Sequence, residues 1–191
     1  TGAATYTLDI EAPDGGALTP HIALAYDSQQ GGYGLAGYGI GLTGFSAITR
    51  GGSDLFHDGA QRGVSHTAAD NLFLDGKRLV FVSGTRGQDG ATYVVEGDPY
   101  TRVVLHGDIG AGAPSSWFTV TTPAGMTWEY GRTPDSRLAY TNGRGQARVA
   151  SWHVSKGTDR HAGTIAYTYA TSGLCVRPVS VTYGTSEAQA R

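Results

Sequence analysis

Apolar and polar residues alternate in one short segment after another, and turn-forming residues close each segment. Tyr6, Leu8 and Ile10 alternate with polar neighbours in TYTLDIE, and Ile22, Leu24 and Tyr26 do so in HIALAYD. RLVFVSG, TYVVEG, TRVVLHG, WFTVTTP, MTWEYG, RVASWHVS, TIAYTYA and PVSVTYG follow, rich in Val, Ile, Thr and aromatics. Gly, Pro, Asp or Ser bounds each of them. A period of two sends successive side chains to opposite faces of a strand, so these segments read as strands with turn punctuation. No window carries the i, i+3, i+4, i+7 stripe of an amphipathic helix. HTAADNLF, at 66–73, supports one helical turn at most. Thirty glycines in 191 residues, about double the usual share, count further against helix. The expected fold is all-β: an antiparallel, hairpin-rich sheet or sandwich with Gly-rich turns and little helix.

Three turns carry specific chemistry. Asp75-Gly76, between NLFL and KRLVFV, suits a type I′ hairpin, whose two central residues need positive φ. Thr121–Thr127 (TTPAGMT) reads as a slightly longer hairpin with Gly125 in the left-handed position. Lys156–Thr164 (KGTDRHAGT) reads as a loop, with Asp159-Arg160 organising it through side-chain hydrogen bonds to the backbone.

Gly32-Tyr33-Gly34-Leu35-Ala36-Gly37 matches G-x-G-x-x-G, the pattern of a dinucleotide-binding loop. That chemistry needs a helix after the motif, whose N-terminus receives the pyrophosphate. Here YGIGLTGF follows, and its further glycines disfavour a helix. Nucleotide binding is therefore rejected. The glycines instead let the backbone bend sharply while Tyr33, Leu35, Tyr38, Ile40 and Leu42 pack.

The chain is long enough to bury a core as a single domain over 1–191. A net charge of -2 leaves no basic footprint for nucleic acid or an anionic membrane. No run is apolar and long enough for a membrane span. The N-terminal TGAATYTLDIEAP has no signal-peptide pattern, and the chain starts without Met, as expected of a piece of a longer protein. The lone Cys175 excludes an internal disulfide, and no Cys or His stands near it in sequence to make it reactive.

Chemical candidates are few. His57, Asp58 and His66 could ligate a metal but lack a recognised spacing. Ser151, His153, Ser155, Asp159 and His161 cluster in sequence as a loose Ser-His-Asp set, without the G-x-S-x-G elbow. Trp117, Trp128 and Trp152 could form a sugar platform, or pack in the core or on a sheet surface. No residue is assigned as catalytic, cofactor-binding or metal-ligating, and no cofactor is expected.

Longer motifs give a resemblance. Gly16, Leu18-Thr19-Pro20, Leu24, Tyr26, Ser28, Gly32, Gly34-Leu35, Gly37-Tyr38-Gly39, Leu42, Gly44 and Ile48-Thr49-Arg50 resemble the opening signature of SpvB-type N-terminal domains. These domains occur in bacterial virulence proteins and in the B component of insecticidal toxin complexes. DNLFLDGKRLV at 70–80, TYVVEGDPYTRVV at 92–104 and EYGRTPDSRL at 129–138 are similar to later family motifs. SWHVSKGTDRHAGTIAYTYA at 151–170 resembles a unit related to the tyrosine-aspartate repeats of RHS proteins. Ile40 departs from the family, which often carries Trp there.

The resemblance implies a secreted or cell-surface toxin protein in which this region is a non-catalytic part of a β-rich shell enclosing or delivering a toxic segment. It implies partners: other domains of the full-length toxin and its partner subunits. Some family members place the domain before an ADP-ribosyltransferase. The four glutamates, Glu11, Glu96, Glu129 and Glu187, form no Glu-x-Glu, so that activity is expected elsewhere. The alternative is an adhesion or binding module for a glycan or a partner subunit, and a weaker third is a hydrolase using the 152–163 loop.

Overall fold

Every strand pairing among the described residues is antiparallel. The computed structural model describes residues 2–34, 37–110 and 115–186; Leu35, Ala36 and Glu187 of the readings above lie outside them. The strands are β1 (Thr5–Ile10), β2 (Ile22–Asp27), β3 (Tyr33–Gly34), β4 (Gly37–Tyr38), β5 (Ile40–Thr43), β6 (Ala47–Gly51), β7 (Asn71–Leu74) and β8 (Lys77–Ser83). They continue as β9 (Thr92–Val95), β10 (Asp98–His106), β11 (Trp117–Thr121), β12 (Thr127–Tyr130), β13 (Arg137–Thr141), β14 (Ala147–Thr158), β15 (Gly163–Ser172) and β16 (Cys175–Ser186). A one-turn helix α1 (Leu55–Asp58) and two 3₁₀ turns complete the described elements.

The all-β expectation holds, and the sheet closes on itself. Strands β6 to β12 form a meander, β12 pairs with β14, and β14 pairs back with β6. The result is an eight-stranded barrel, with β13, β15 and β16 as additions to its wall. Directly paired residues share a face, so the inner face can be followed around the ring. Ile48 faces Leu74, Leu79 faces Val95, and Tyr93 faces Val103. Leu105 faces Phe118, Phe118 faces Tyr130, Tyr130 faces Val154, and Trp152 returns to Ile48. These side chains are buried, apart from the partly buried Leu74, and fill the barrel. Trp152 and Phe118 meet edge to face at 5.0 Å, and the Trp152 indole donates to the Ser116 carbonyl at 2.9 Å.

The predicted turns form. Leu74 pairs with Lys77, and the two residues between them have φ of 49° (Asp75) and 80° (Gly76), as type I′ requires. Gly125 has φ 79°. Asp159 Oδ1 accepts from the amides of His161 and Gly163, both at 2.8 Å. One boundary moves: β14 runs to Thr158, so Lys156–Thr158 are strand, because β12 and β15 pair with them on both edges. α1 falls where no helix was expected. Asp54 caps its N-terminus by accepting from the His57 amide at 2.7 Å, and Gly59 closes it in the left-handed conformation.

The glycine stretch makes β3, β4 and β5, with no helix after Gly37. The strand–loop–helix context of a nucleotide loop is missing there. β5 instead joins β2 and β1 in a separate three-stranded sheet.

Candidate functional site

The barrel has two unlike ends. With residues 107–110 and 115–116 between β10 and β11, the connections 52–70 and 84–91 gather at one end. The guanidinium of Arg50, on the inner face of β6, plugs it. Nε donates to the Val149 carbonyl at 2.7 Å, Nη1 to the Thr67 carbonyl at 3.0 Å and to Asp70 at 3.1 Å, and Nη2 to the Ile109 carbonyl. Asp70 also accepts from the amide and hydroxyl of Ser65, both at 2.7 Å. Burial opposes its charge, but the Ser65 bonds and Arg50 overcome this and hold its carboxyl below the ordinary range. One side chain thus ties together three segments that share no ladder at that end.

The opposite end carries the short turns 75–76, 96–97 and 122–126 and opens into a cavity of about 290 Å³. A hydrogen-bond chain braces its edge: the Tyr130 hydroxyl lies 2.8 Å from Ser46 Oγ, which donates to Asp75 at 2.6 Å. Burial pushes the Tyr130 phenol well up, so it stays protonated and acts as the donor.

The third feature is the sheet β1–β2–β5. Tyr6 pairs with Tyr26, Leu8 with Leu24, and Ile10 with Ile22, while Leu42 pairs with Leu24 and Ile40 with Tyr26. Every apolar residue of the alternation therefore lies on one face. Along β1 that face is open, with Tyr6 67% exposed, Leu8 52% and Ile10 45%, whereas Ile22, Leu24, Ile40 and Leu42 are half-buried. Its lower end runs into a groove of about 400 Å³ against β16, where Ile10, Leu42 and Phe45 oppose Val179, Val181 and Tyr183. Among the described residues β1 is also an edge strand, with β2 on one side and no strand on the other.

The candidates read from sequence are dispersed. Ser151 Oγ lies 3.1 Å from His153 Nε2, but Asp159 is engaged in its own turn and Ser155 donates to the Glu129 carbonyl. Burial lowers the pKa of His153. His57 sits on α1 between Asp54 (2.9 Å) and Glu96 (3.2 Å), whereas His66 bonds the Tyr140 hydroxyl at 2.8 Å. Asp58 is taken by Arg78, which holds its carboxyl far below the usual range. Among the described residues no group of three His, Cys, Asp or Glu could hold a metal ion. The tryptophans do not share a platform. Trp152 is core, Trp117 stacks on His106 at 3.9 Å beneath Arg132, and Trp128 lines the open end. Cys175 is exposed.

No protein-family model and no curated protein matches the sequence. Solved structures do match in fold. The N-terminal domain of the effector protein SpvB from Salmonella typhimurium superposes with a TM-score of 0.68 at 17% identity, over 93% of this chain and 63% of that one. The chain has the SpvB N-terminal fold. The TcdB2-TccC3 crystal structure shares that SpvB-type fold with a TM-score of 0.70 at 16% identity, over 96% of this chain and 10% of the other. The Photorhabdus luminescens Tc holotoxin pore gives 0.70 and 16%, over 94% and 9%. This chain thus spans about a tenth of those toxin chains. No helix among the described residues is long and apolar enough to cross a membrane.

Proposed function

We propose that this chain is a non-catalytic structural module of a secreted bacterial toxin, contributing to a β-rich wall that encloses or delivers a toxic segment. The observation that carries the reading is the apolar face of β1–β2–β5, open along β1. Burying apolar area is worth roughly 25 cal/mol per Å², so a face holding two tyrosines and several aliphatic side chains gains by being covered. In this reading the rest of the longer protein covers it and extends the open edge of β1. The fold shared with toxin chains ten times longer supports this placement.

Hydrogen exchange tests the proposal. The amides of β1 should exchange slowly in the full-length protein and quickly in the 191-residue chain. Equal exchange in both would remove the argument for a covered wall.

A further inference from the structure

The open end of the barrel has features that a wall does not require. Along the inner face the apolar pattern gives way there to Lys77, Thr101 and Thr122, which line the cavity together with Trp128. Asp75 and Asp98 stand at the rim. We propose that this barrel mouth binds one pyranose ring of a glycan.

Three observations select that chemistry. The first is size. A cavity of about 290 Å³ lies at the lower limit for small-molecule pockets, which suits one ring, and barrel mouths are a recurrent place for such sites. The second is the wall. One side of the Trp128 indole rests on Gly157, where any side chain would collide with it. The glycine leaves Trp128 room as a flat apolar surface beside Val95 and Val120, and the C–H face of a sugar stacks on such a surface.

The third is charge and hydrogen bonding. Two carboxylates against one ammonium disfavour an anionic ligand, and Lys77 disfavours a cation. A neutral ligand with both donors and acceptors fits. The carboxylates are already held in place. Asp98 accepts from the Thr101 hydroxyl at 2.6 Å and from the amides of Tyr100 and Thr101. Asp75 accepts from Ser46 and from the Ala47 amide at 2.9 Å. Asp98 Oδ1 is filled by its two amides, but Asp98 Oδ2 and both Asp75 oxygens each keep a lone pair for a sugar hydroxyl, on carboxylates fixed before binding.

The test is an NMR titration of the 191-residue chain with glucose, galactose, mannose and N-acetylglucosamine, each to about 50 mM, since so small a site is expected to bind at about 1 mM. At least one sugar should shift the Trp128 indole N–H and the Lys77 and Thr101 amides, leaving the Trp117 and Trp152 indoles in place. Lys77→Ala, at an exposed side chain, should weaken binding about tenfold through loss of a charge-assisted hydrogen bond. Trp128→Ala should abolish binding; should that variant not fold, Thr122→Val should still weaken it. Silence of Trp128 with all four sugars overturns the proposal. So does a response to arginine or acetate in place of sugars, or a Lys77→Ala variant of unchanged affinity.

Discussion

Arg50 Nη1 lies 3.1 Å from Asp70 Oδ2, and each side chain is only 2% exposed. The pair sits at the end of a barrel otherwise filled with apolar side chains, with Arg50 5.2 Å above the Trp152 ring. Its donors serve carbonyls of residues 67, 109 and 149, so it fastens loops far apart in sequence. Removing one partner leaves the other charge buried and unpaired. Asp70→Ala should cost about 3–5 kcal/mol by chemical denaturation. Replacing both, as Arg50→Met with Asp70→Leu, should recover part of that loss. A double variant no better than the single would mean that the carbonyl contacts of Arg50, lost only in the double, outweigh the relief of the unpaired charge.

Gly76→Val places a β-branched residue at φ 80°. A Cβ there would meet nothing within 4 Å, so the penalty is backbone strain alone, about 1–3 kcal/mol. Thermal melts measure it, and an unchanged Tm would contradict the turn geometry.

Burial lowers the pKa of His66, His106 and His153. The unfolded chain protonates these groups near their ordinary value of 6.5, before the folded chain does. Stability should therefore be full above that value and fall as pH drops from about 7 to 5. His153→Gln should flatten the decline in Tm over that window. A variant with the wild-type slope would exclude His153 as a source.

Tyr6 and Leu8 project from the uncovered sheet face. Tyr6→Thr with Leu8→Thr should change stability by only about 0.5 kcal/mol per site, as at other exposed positions. It should reduce self-association of the isolated chain in sedimentation velocity. Association that persists unchanged would place its source on another surface.

Hairpins were legible because their information is local. Asp75-Gly76 and Gly125 announce positive φ, and alternation marks the strands beside them. Closure of the barrel was not legible, because it rests on β6 meeting β14, as where Ile48 pairs with Trp152. Nothing near either residue encodes that register. α1 escaped because four residues hold too few turns for a periodic pattern; Asp54 followed by Gly59 was the available signal. Arg50 appeared in the Ile48-Thr49-Arg50 motif, and its position two residues from a core isoleucine was the clue that it points inward. The tryptophans looked equivalent in sequence, yet strand parity and end of the barrel send Trp117 outward, Trp152 to the centre and Trp128 to the mouth.

The register of β14 also dictates an order of events during synthesis. β6 leaves the ribosome early, but the backbone it must join, and the Val149 carbonyl that receives Arg50, lie 99 residues later. At roughly 5–20 residues per second, the free edge of β6 waits about 5–20 s for that partner. Throughout that interval the β6 edge, joined late in it by the β12 edge, offers hydrogen bonds to any neighbouring nascent chain. Arrival of one twelve-residue strand ends the exposure on both sides at once.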